Sequence, residues 1–276
     1  MAGNDWMRPR ASGKAKADVD PSTAHIARIY NYLLGGKDNF AADREAADAA
    51  IKAYPQAVTT ARANRAFLAR TVRYLAAGEG IRQFLDIGTG LPSANNTHEV
   101  AQDAAPESRI VYVDNDPTVL THARALLTSK PEGRTAYLDA DLRDTATILA
   151  HAAGTLDFTQ PTAVMLLAVL HCIPDEDGPG RIVMELMHAV PAGSFLVISH
   201  PTSDIHTGVT QAYHSARPMM NEPLTFRGRD QVSRFFDGFD LVEPGLVPIH
   251  RWRPRSELEA SAKAAFWGGV ARKPSA

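Results

Sequence analysis

The chain reads Phe84-Leu85-Asp86-Ile87-Gly88-Thr89-Gly90 and, about two dozen residues on, Ile110-Val111-Tyr112-Val113-Asp114-Asn115-Asp116. Each half is a short apolar run that ends in glycine or polar residues. A parallel strand buried on both faces, ending at a ligand site, has this pattern. Gly88 and Gly90 let the backbone come close to a ligand at the strand-to-helix turn. Asp114, closing the second strand, can accept hydrogen bonds from both hydroxyls of a ribose, and Asn115 beside it can flank the base. The pair reads as a nucleoside-binding α/β domain.

The flanking residues narrow the nucleoside. A dinucleotide site wants G-x-G-x-x-G, with a helix N-terminus facing pyrophosphate. Here the run is Gly88-Thr89-Gly90-Leu91-Pro92-Ser93, so the third glycine is missing. Asp86 precedes the first glycine, where a carboxylate would repel pyrophosphate but pair with an ammonium group. S-adenosylmethionine (SAM), with its adenosine, cationic sulfur and amino-acid end, fits those requirements. The competing reading is an unrelated α/β domain in which Asp86 caps a turn and the glycines serve only sterics.

The whole chain sets outer bounds. Its 276 residues suit one large α/β domain, or one domain with an appendage. A formal net charge of −2 and the lack of a Lys/Arg-rich run give no footprint for nucleic acid. The single cysteine, Cys172, excludes a disulfide framework and a cysteine-based zinc site, and it fits a reducing cytoplasm. Met1 to Asp20 is polar and Ala/Lys/Asp-rich, which predicts a disordered tail rather than a signal peptide or anchor. The longest apolar run, Ala163 to Ile173, is too short to cross a bilayer.

Three helical stretches are expected before the first glycine motif. The first, capped by Ser22 or Thr23, carries Ile26, Ile29, Leu33 and Leu34 and stops at Gly35-Gly36. Ala41 to Ala53 and the amphipathic Ala57 to Ala77 follow, the latter closed by Gly78. Strands are then expected at Gln83–Ile87, Arg109–Asp114, Thr135–Asp139, Ala163–Leu170 and Ser194–Ser199. The helices between them are expected at Asn95–Ala105, Pro117–Leu127, Thr145–Ala152 and Pro179–Val190. Strict alternation is the signature of a doubly wound parallel sheet. Beyond His200-Pro201, helices around Val209–Ala216 and Arg229–Phe236 precede strands Asp240–Val247 and Phe266–Arg272, joined by the polar loop Arg253–Ser261. This is a class I methyltransferase plan: a seven-stranded, mostly parallel, Rossmann-like sheet with helices on both faces and an N-terminal helical cap. The expected division is a tail at 1–20, a cap at 21–78 and the SAM-binding domain at 79–276.

A more specific likeness lies in Asn31-Tyr32-Leu33-Leu34-Gly35-Gly36-Lys37-Asp38-Asn39-Phe40, followed by the two motifs above and by His98-Glu99-Val100-Ala101. With these the chain resembles the SAM-dependent methyltransferase family known as Methyltransf_19, from about Pro21 to the C-terminus. The L-L-G-G-K-D-N-F stretch is the specific part, since the glycine and acid motifs alone fit any class I methyltransferase. The resemblance implies a Rossmann-like fold and SAM binding, with S-adenosylhomocysteine (SAH) as product, and implies no particular substrate.

Candidate residues follow from this plan. Asp86, Gly88 and Gly90 are expected at the amino-acid end of SAM, and Asp114 and Asn115 at the adenosine. Asp141 can accept from the adenine amino group while the Leu142 N–H meets a ring nitrogen; Asp139 competes for the role. Leu167-Ala168-Val169-Leu170-His171 ends the fourth strand beside the transferred methyl, where Ala168 meets the cofactor and His171 can act as a general base or orient a nucleophile. A histidine merely packed at a strand end is the competing reading. His98, in the first turn after the glycine loop, can face the SAM carboxylate. Tyr32 and Gly36 belong to a segment, Tyr30 to Phe40, that reads as a lid over SAM or the acceptor. Arg62, Asn64 or Arg65 can pair with the SAM carboxylate or an acidic acceptor. Asp144 and Asp116 are helix caps, and Asp175-Glu176-Asp177 is a solvated loop rather than a metal site. The function expected is methyl transfer to a small-molecule acceptor. A non-catalytic SAM-binding regulator and a nucleotide-cofactor oxidoreductase are the rivals.

Overall fold

A computed structural model describes residues 19–116, 118–119, 128–220 and 223–275. The expected tail up to residue 18 and nearly all of the expected helix 117–127 lie outside these. Five strands run parallel: β1 (Gln83–Ile87), β2 (Arg109–Asp114), β3 (Arg134–Asp139), β4 (Ala163–Leu167) and β5 (Phe195–Pro201). Three more, β6 (Asp240–Leu241), β7 (Val247–Pro248) and β8 (Phe266–Arg272), complete the sheet in the order β3-β2-β1-β4-β5-β8-β6. β8 is antiparallel to β5, and its other edge takes both β6 and β7. Eight segments thus occupy seven positions. The continuous strand expected over Asp240–Val247 is broken because the chain turns at Pro244-Gly245, where the Gly245 N–H donates to the Val242 carbonyl.

Alternation of side chains along each strand divides the core into two layers. Leu85, Ile87, Val111, Val113, Val164, Leu166, Leu196 and Ile198 face α5 (Thr145–Ala152) and α6 (Pro179–His188). Phe84, Ile110, Tyr112, Met165, Phe195 and Val197 face α3 (Ala57–Arg73) and α4 (Thr97–Ala104). The apolar stripe predicted for α3, with Phe67, Leu68, Val72 and Leu75, lies in this second layer. Of the segment 21–78, therefore, α3 is part of the sheet sandwich. α1 (Ile26–Leu33) and α2 (Ala41–Ala53) instead pack with α7 (Gly208–Ala216) in separate small clusters around Ile29, Ala46, Ala47, Ala216 and Met220, and around Tyr54 and Ala212.

Several boundaries differ from expectation for local reasons. α1 begins after His25, which occupies the N-cap, while Ser22 and Thr23 bond Asp20 instead. α4 starts at Thr97 because Asn95 is left-handed (φ 60°) and the Asn96 N–H donates to Glu99 Oε2 at 2.8 Å. β4 ends at Leu167, three residues early, because Ala168 is also left-handed (φ 52°). His171 consequently lies beyond the strand, in a 3-10 turn over Leu170–Cys172. The loop after Arg253 contains a short helix, α9 (Glu257–Ser261), capped by Ser256. A further short helix, α8, spans Arg229–Ser233 and passes into a 3-10 turn over Arg234–Phe236. No helix among the described residues is long and apolar enough to cross a membrane.

Asp43 on α2 ties the N-terminal helices together. Fully buried, it accepts from His25 N–H at 2.9 Å, Phe40 N–H at 2.8 Å and Arg28 Nε at 3.0 Å. Removing one side of a buried hydrogen-bonded ion pair leaves an uncompensated charge, at a cost of about 3–5 kcal/mol. Asp43→Ala is expected to lose stability on that order in urea unfolding, and a loss under about 1 kcal/mol would mean that Arg28 finds water or another partner.

Candidate functional site

A cavity of about 260 Å³ opens over the C-terminal ends of the parallel strands. That is where ligands bind open α/β sheets. Asp86, Gly88, Gly90, Asp114, Asn115, Asp141, Leu142, Ala168 and His171 all line it. The fold has therefore gathered residues from the ends of β1, β2, β3 and β4 into one wall.

The glycine loop is held by β2. Gly88 N–H and Thr89 N–H donate to the Val113 carbonyl at 2.8 and 3.3 Å. Asp114 reaches across, its Oδ2 accepting from Gly90 N–H at 2.8 Å and its Oδ1 from Asp116 N–H at 3.0 Å. Each oxygen keeps a lone pair for a ligand. The two glycines have different reasons. Gly88 (φ +72°) has no room for a Cβ, which would overlap the Val169 side chain of the β4 loop. Gly90 (φ +65°) faces open space, so there the backbone itself forms the cavity wall.

Two buried carboxylates stand side by side. Asp86, 3 % exposed, accepts from Thr97 Oγ1 at 2.6 Å, and burial pushes its pKa up to about 6. Burial likewise raises Asp114, against two backbone hydrogen bonds and the charge of His25 that favour the anion. The positive charge near them comes from the N-terminal helices. Arg65 on α3 lowers Asp86 through space. Its Nη2 bonds the carbonyls of Ala94 and Asn95, while its Nε is buried without a partner. His25 lies 3.0 Å from Asp116, which also meets Arg28 at 3.5 Å. A cluster of buried acid, short of cations and facing a cavity, suits a cationic ligand. This fits the sulfonium and ammonium of SAM.

A hydrogen-bonded chain joins the cap to the strand ends. Tyr30 Oη donates to the Ala61 carbonyl at 3.0 Å and accepts from Asn64 Nδ2 at 3.1 Å. Asn64 Oδ1 accepts from Ser199 Oγ at 2.7 Å, and both Ser199 oxygens face the Ala168 N–H at 2.9 and 3.1 Å. The left-handed turn at Ala168 is fixed by these bonds; a non-glycine residue there costs about 1–2 kcal/mol. Ser199 was not legible as a site residue, since a serine in an apolar strand carries no motif.

Behind the β4 loop, Arg227 is buried and donates to the carbonyls of Leu170 and Ile173 at 2.9 and 2.8 Å, and to Asp175 at 2.7 Å. Its Nη1 also meets His200 Nε2 at 3.2 Å, so that nitrogen is the acceptor and Nδ1 donates to the Pro201 carbonyl. These cationic and apolar surroundings act on His171. Burial first, then His200 and Arg227, lower its pKa to about 3. That depression favours the neutral imidazole in the free protein, and Nδ1 is buried and unpartnered.

Other expected contacts move elsewhere. His98 does not line the cavity; it packs in the second layer, with its N–H and Nδ1 2.7 and 2.8 Å from Tyr112 Oη. Tyr32 points outward to Asp48 at 3.1 Å, and Gly36 packs against Asn31, so neither reaches the cavity. Helical spacing explains this, since Tyr30, two residues from Tyr32, takes the inner face. Asn64 and Arg65 line the cavity and Arg62 does not. Asp141 is half-buried at its rim and pairs with Arg143 at 2.9 Å. Arg143 also binds Asp177. Asp144 caps α5 as expected, accepting from Thr147 N–H, and Asp116 accepts from Thr118 N–H, the helix expected after it lying outside the described residues. No group of three or more potential metal ligands occurs among the described residues.

The description of the family model matching residues 12–274 is S-adenosyl methyltransferase. The chain belongs to that family. SAM is its cofactor and methyl transfer its activity. A DUF574 family protein from Streptomyces avermitilis MA-4680 is 46 % identical, with 92 % of this chain and 99 % of that one aligned at a TM-score of 0.88. A candidate methyltransferase from Thermobifida fusca YX is 40 % identical, covering 92 % and 96 % of the chains at 0.85. No curated protein matches the sequence.

The methyltransferase holds Asp86 at a cost. Its raised pKa means that the folded state binds a proton more tightly than the unfolded chain, so stability falls as pH rises from about 4 to 6. A shift of about two units is worth on the order of 3 kcal/mol. Asp86→Asn is expected to raise the melting temperature of the free protein at pH 7.5, with the gain vanishing below pH 4. A variant less stable at pH 7.5 would show that the charge is better compensated than its surroundings indicate.

Proposed function

We propose that this methyltransferase acts on a small-molecule acceptor enclosed beneath α1, α2 and α7. The observation that carries the reading is the cavity itself, which continues from the acidic ends of β1 and β2 under those helices. In this arrangement Asp86 receives the SAM ammonium. The free Nε of Arg65 receives its carboxylate, and the Gly88–Gly90 turn lets the backbone pass close to the amino-acid end. Asp114 takes the ribose hydroxyls, Asn115 flanks the adenine, and Asp141 with the Leu142 N–H reads its edge. Ala168, fixed by Ser199, forms the wall beside the methyl.

SAM brings an already activated methyl group, so the protein's task is alignment and exclusion of water. A neutral His171 with a depressed pKa cannot hold an acceptor's proton at neutral pH. Its role in this reading is to orient the acceptor through Nδ1. A single cysteine outside any disulfide is in keeping with action in the cytoplasm.

Calorimetry with SAM or SAH tests the cofactor half. Asp114→Ala should weaken binding by about 1.5–3 kcal/mol, the range for a hydrogen bond to a charged group. Unchanged affinity would displace the ribose from Asp114. Because SAM favours ionised Asp86, affinity should also fall as pH drops through about 6, and Asp86→Asn should flatten that dependence. A pH-independent wild type would separate the ammonium from Asp86.

A further inference from the structure

The strand order divides the cavity by charge. The charged residues that line it are Asp86, Asp114, Asp141, Arg143, Arg65 and His25. The first four lie at the ends of β1, β2 and β3, which are consecutive in the sheet. Arg65 bonds the loop after β1, and His25 bonds Asp116 after β2. All six therefore sit on the β3-β2-β1 side.

The other side, at β4, β5 and β8, is walled by Leu33, Tyr54, Val209, Ala212, Leu224 and Phe266 among others. Its polar side chains are already paired. Tyr54 Oη meets Thr60 at 3.0 Å, Tyr213 Oη accepts from Leu224 N–H at 3.1 Å, and Tyr30, Asn64 and Ser199 bond one another. Arg227, behind His200, directs its donors to Asp175 and to carbonyls. Among the described residues lining this half, one side-chain nitrogen is buried without a partner, His171 Nδ1. Burying an ion here would leave it uncompensated, whereas an apolar body gains from burial.

We propose that the acceptor is an uncharged, largely apolar molecule seated against α1, α7 and the ends of β4, β5 and β8, with one hydrogen-bonding group directed at His171 Nδ1. The inference rests on SAM occupying the β1–β2 side. A ligand of this kind meets hydrocarbon on most of its surface and a single polar contact near the point of transfer. The neutral state of His171 agrees with that contact.

Two fluorophores of one skeleton test the charge rule. N-phenyl-1-naphthylamine is uncharged with a single N–H; 1-anilinonaphthalene-8-sulfonate adds a fixed negative charge. With the protein saturated by SAH, the neutral probe should bind at one site and about tenfold or more tighter than the sulfonate. Ala212→Phe and, separately, Val209→Trp fill the chamber and should weaken the neutral probe by about tenfold while SAH affinity stays within about twofold. The second, at a half-buried wall position, serves if the first fails to fold. His171→Phe keeps the ring volume and should weaken the probe by about fivefold through the lost hydrogen bond. Equal binding of the two probes, or filled variants that bind the neutral one like wild type, would overturn the proposal. An unaltered His171→Phe would overturn the polar contact. Should SAH itself fail to bind the wild type, the cofactor placement fails separately, and the probe comparison on the free protein still decides the chamber's character.

Discussion

Two carboxylates at neighbouring strand ends, Asp86 and Asp114, are buried with little positive charge beside them, and much of the surrounding structure answers that condition. Water is excluded from both, so each is raised in pKa and each seeks donors. Thr97 supplies one, the backbone of Gly90 and Asp116 two more. What cationic influence they feel is delivered by Arg65 and His25, from the helices that precede the sheet in the chain. The N-terminal helices are thus electrostatic partners of the strand ends as well as a cover. A free protein that holds such acid without full compensation is poised for a cationic ligand, and its stability is lower for it.

The second consequence is mechanical. Asp114 ties the glycine loop to β2, and Val169 fills the space left by the missing Cβ of Gly88. Through Ser199 and Asn64 the β4 loop is joined to Tyr30 of α1. Loops from β1, β2 and β4 therefore form one hydrogen-bonded and packed unit with the cap. Arg227 adds a strut on the far side, fixing residues 170–175 to the end of β5. Preorganisation of this kind suits a reaction whose barrier is lowered mainly by alignment.

Local sequence carried the sheet well where it was strong. β1, β2 and β8 fall on their expected bounds, and β3 begins one residue early, because buried strands write themselves as apolar runs closed by turn residues. Asp86, Gly88, Gly90, Asp114, Asn115, Asp141 and Leu142 meet in one cavity because motif and strand end coincide. His98, Tyr32 and Gly36 do not, since a residue's nearness to a motif says nothing about which helix face it takes. The ending of β4 was hidden as well: an alanine in left-handed conformation has no signature in sequence and is imposed by the Ser199 bonds. His171 moved off the strand with it.

The sequence by itself determined the alternation of strands and helices, the nucleoside-type strand ends and the acid that favours SAM over a dinucleotide, because these are set by local periodicity and residue chemistry. Tertiary structure alone decided that α3 belongs to the sheet while α1, α2 and α7 roof the cavity. It also decided that burial depresses the pKa of His171, and that charge gathers on the β3-β2-β1 side. Those properties depend on burial and on contacts between residues far apart in the chain, and no local pattern records how much water a folded neighbour excludes.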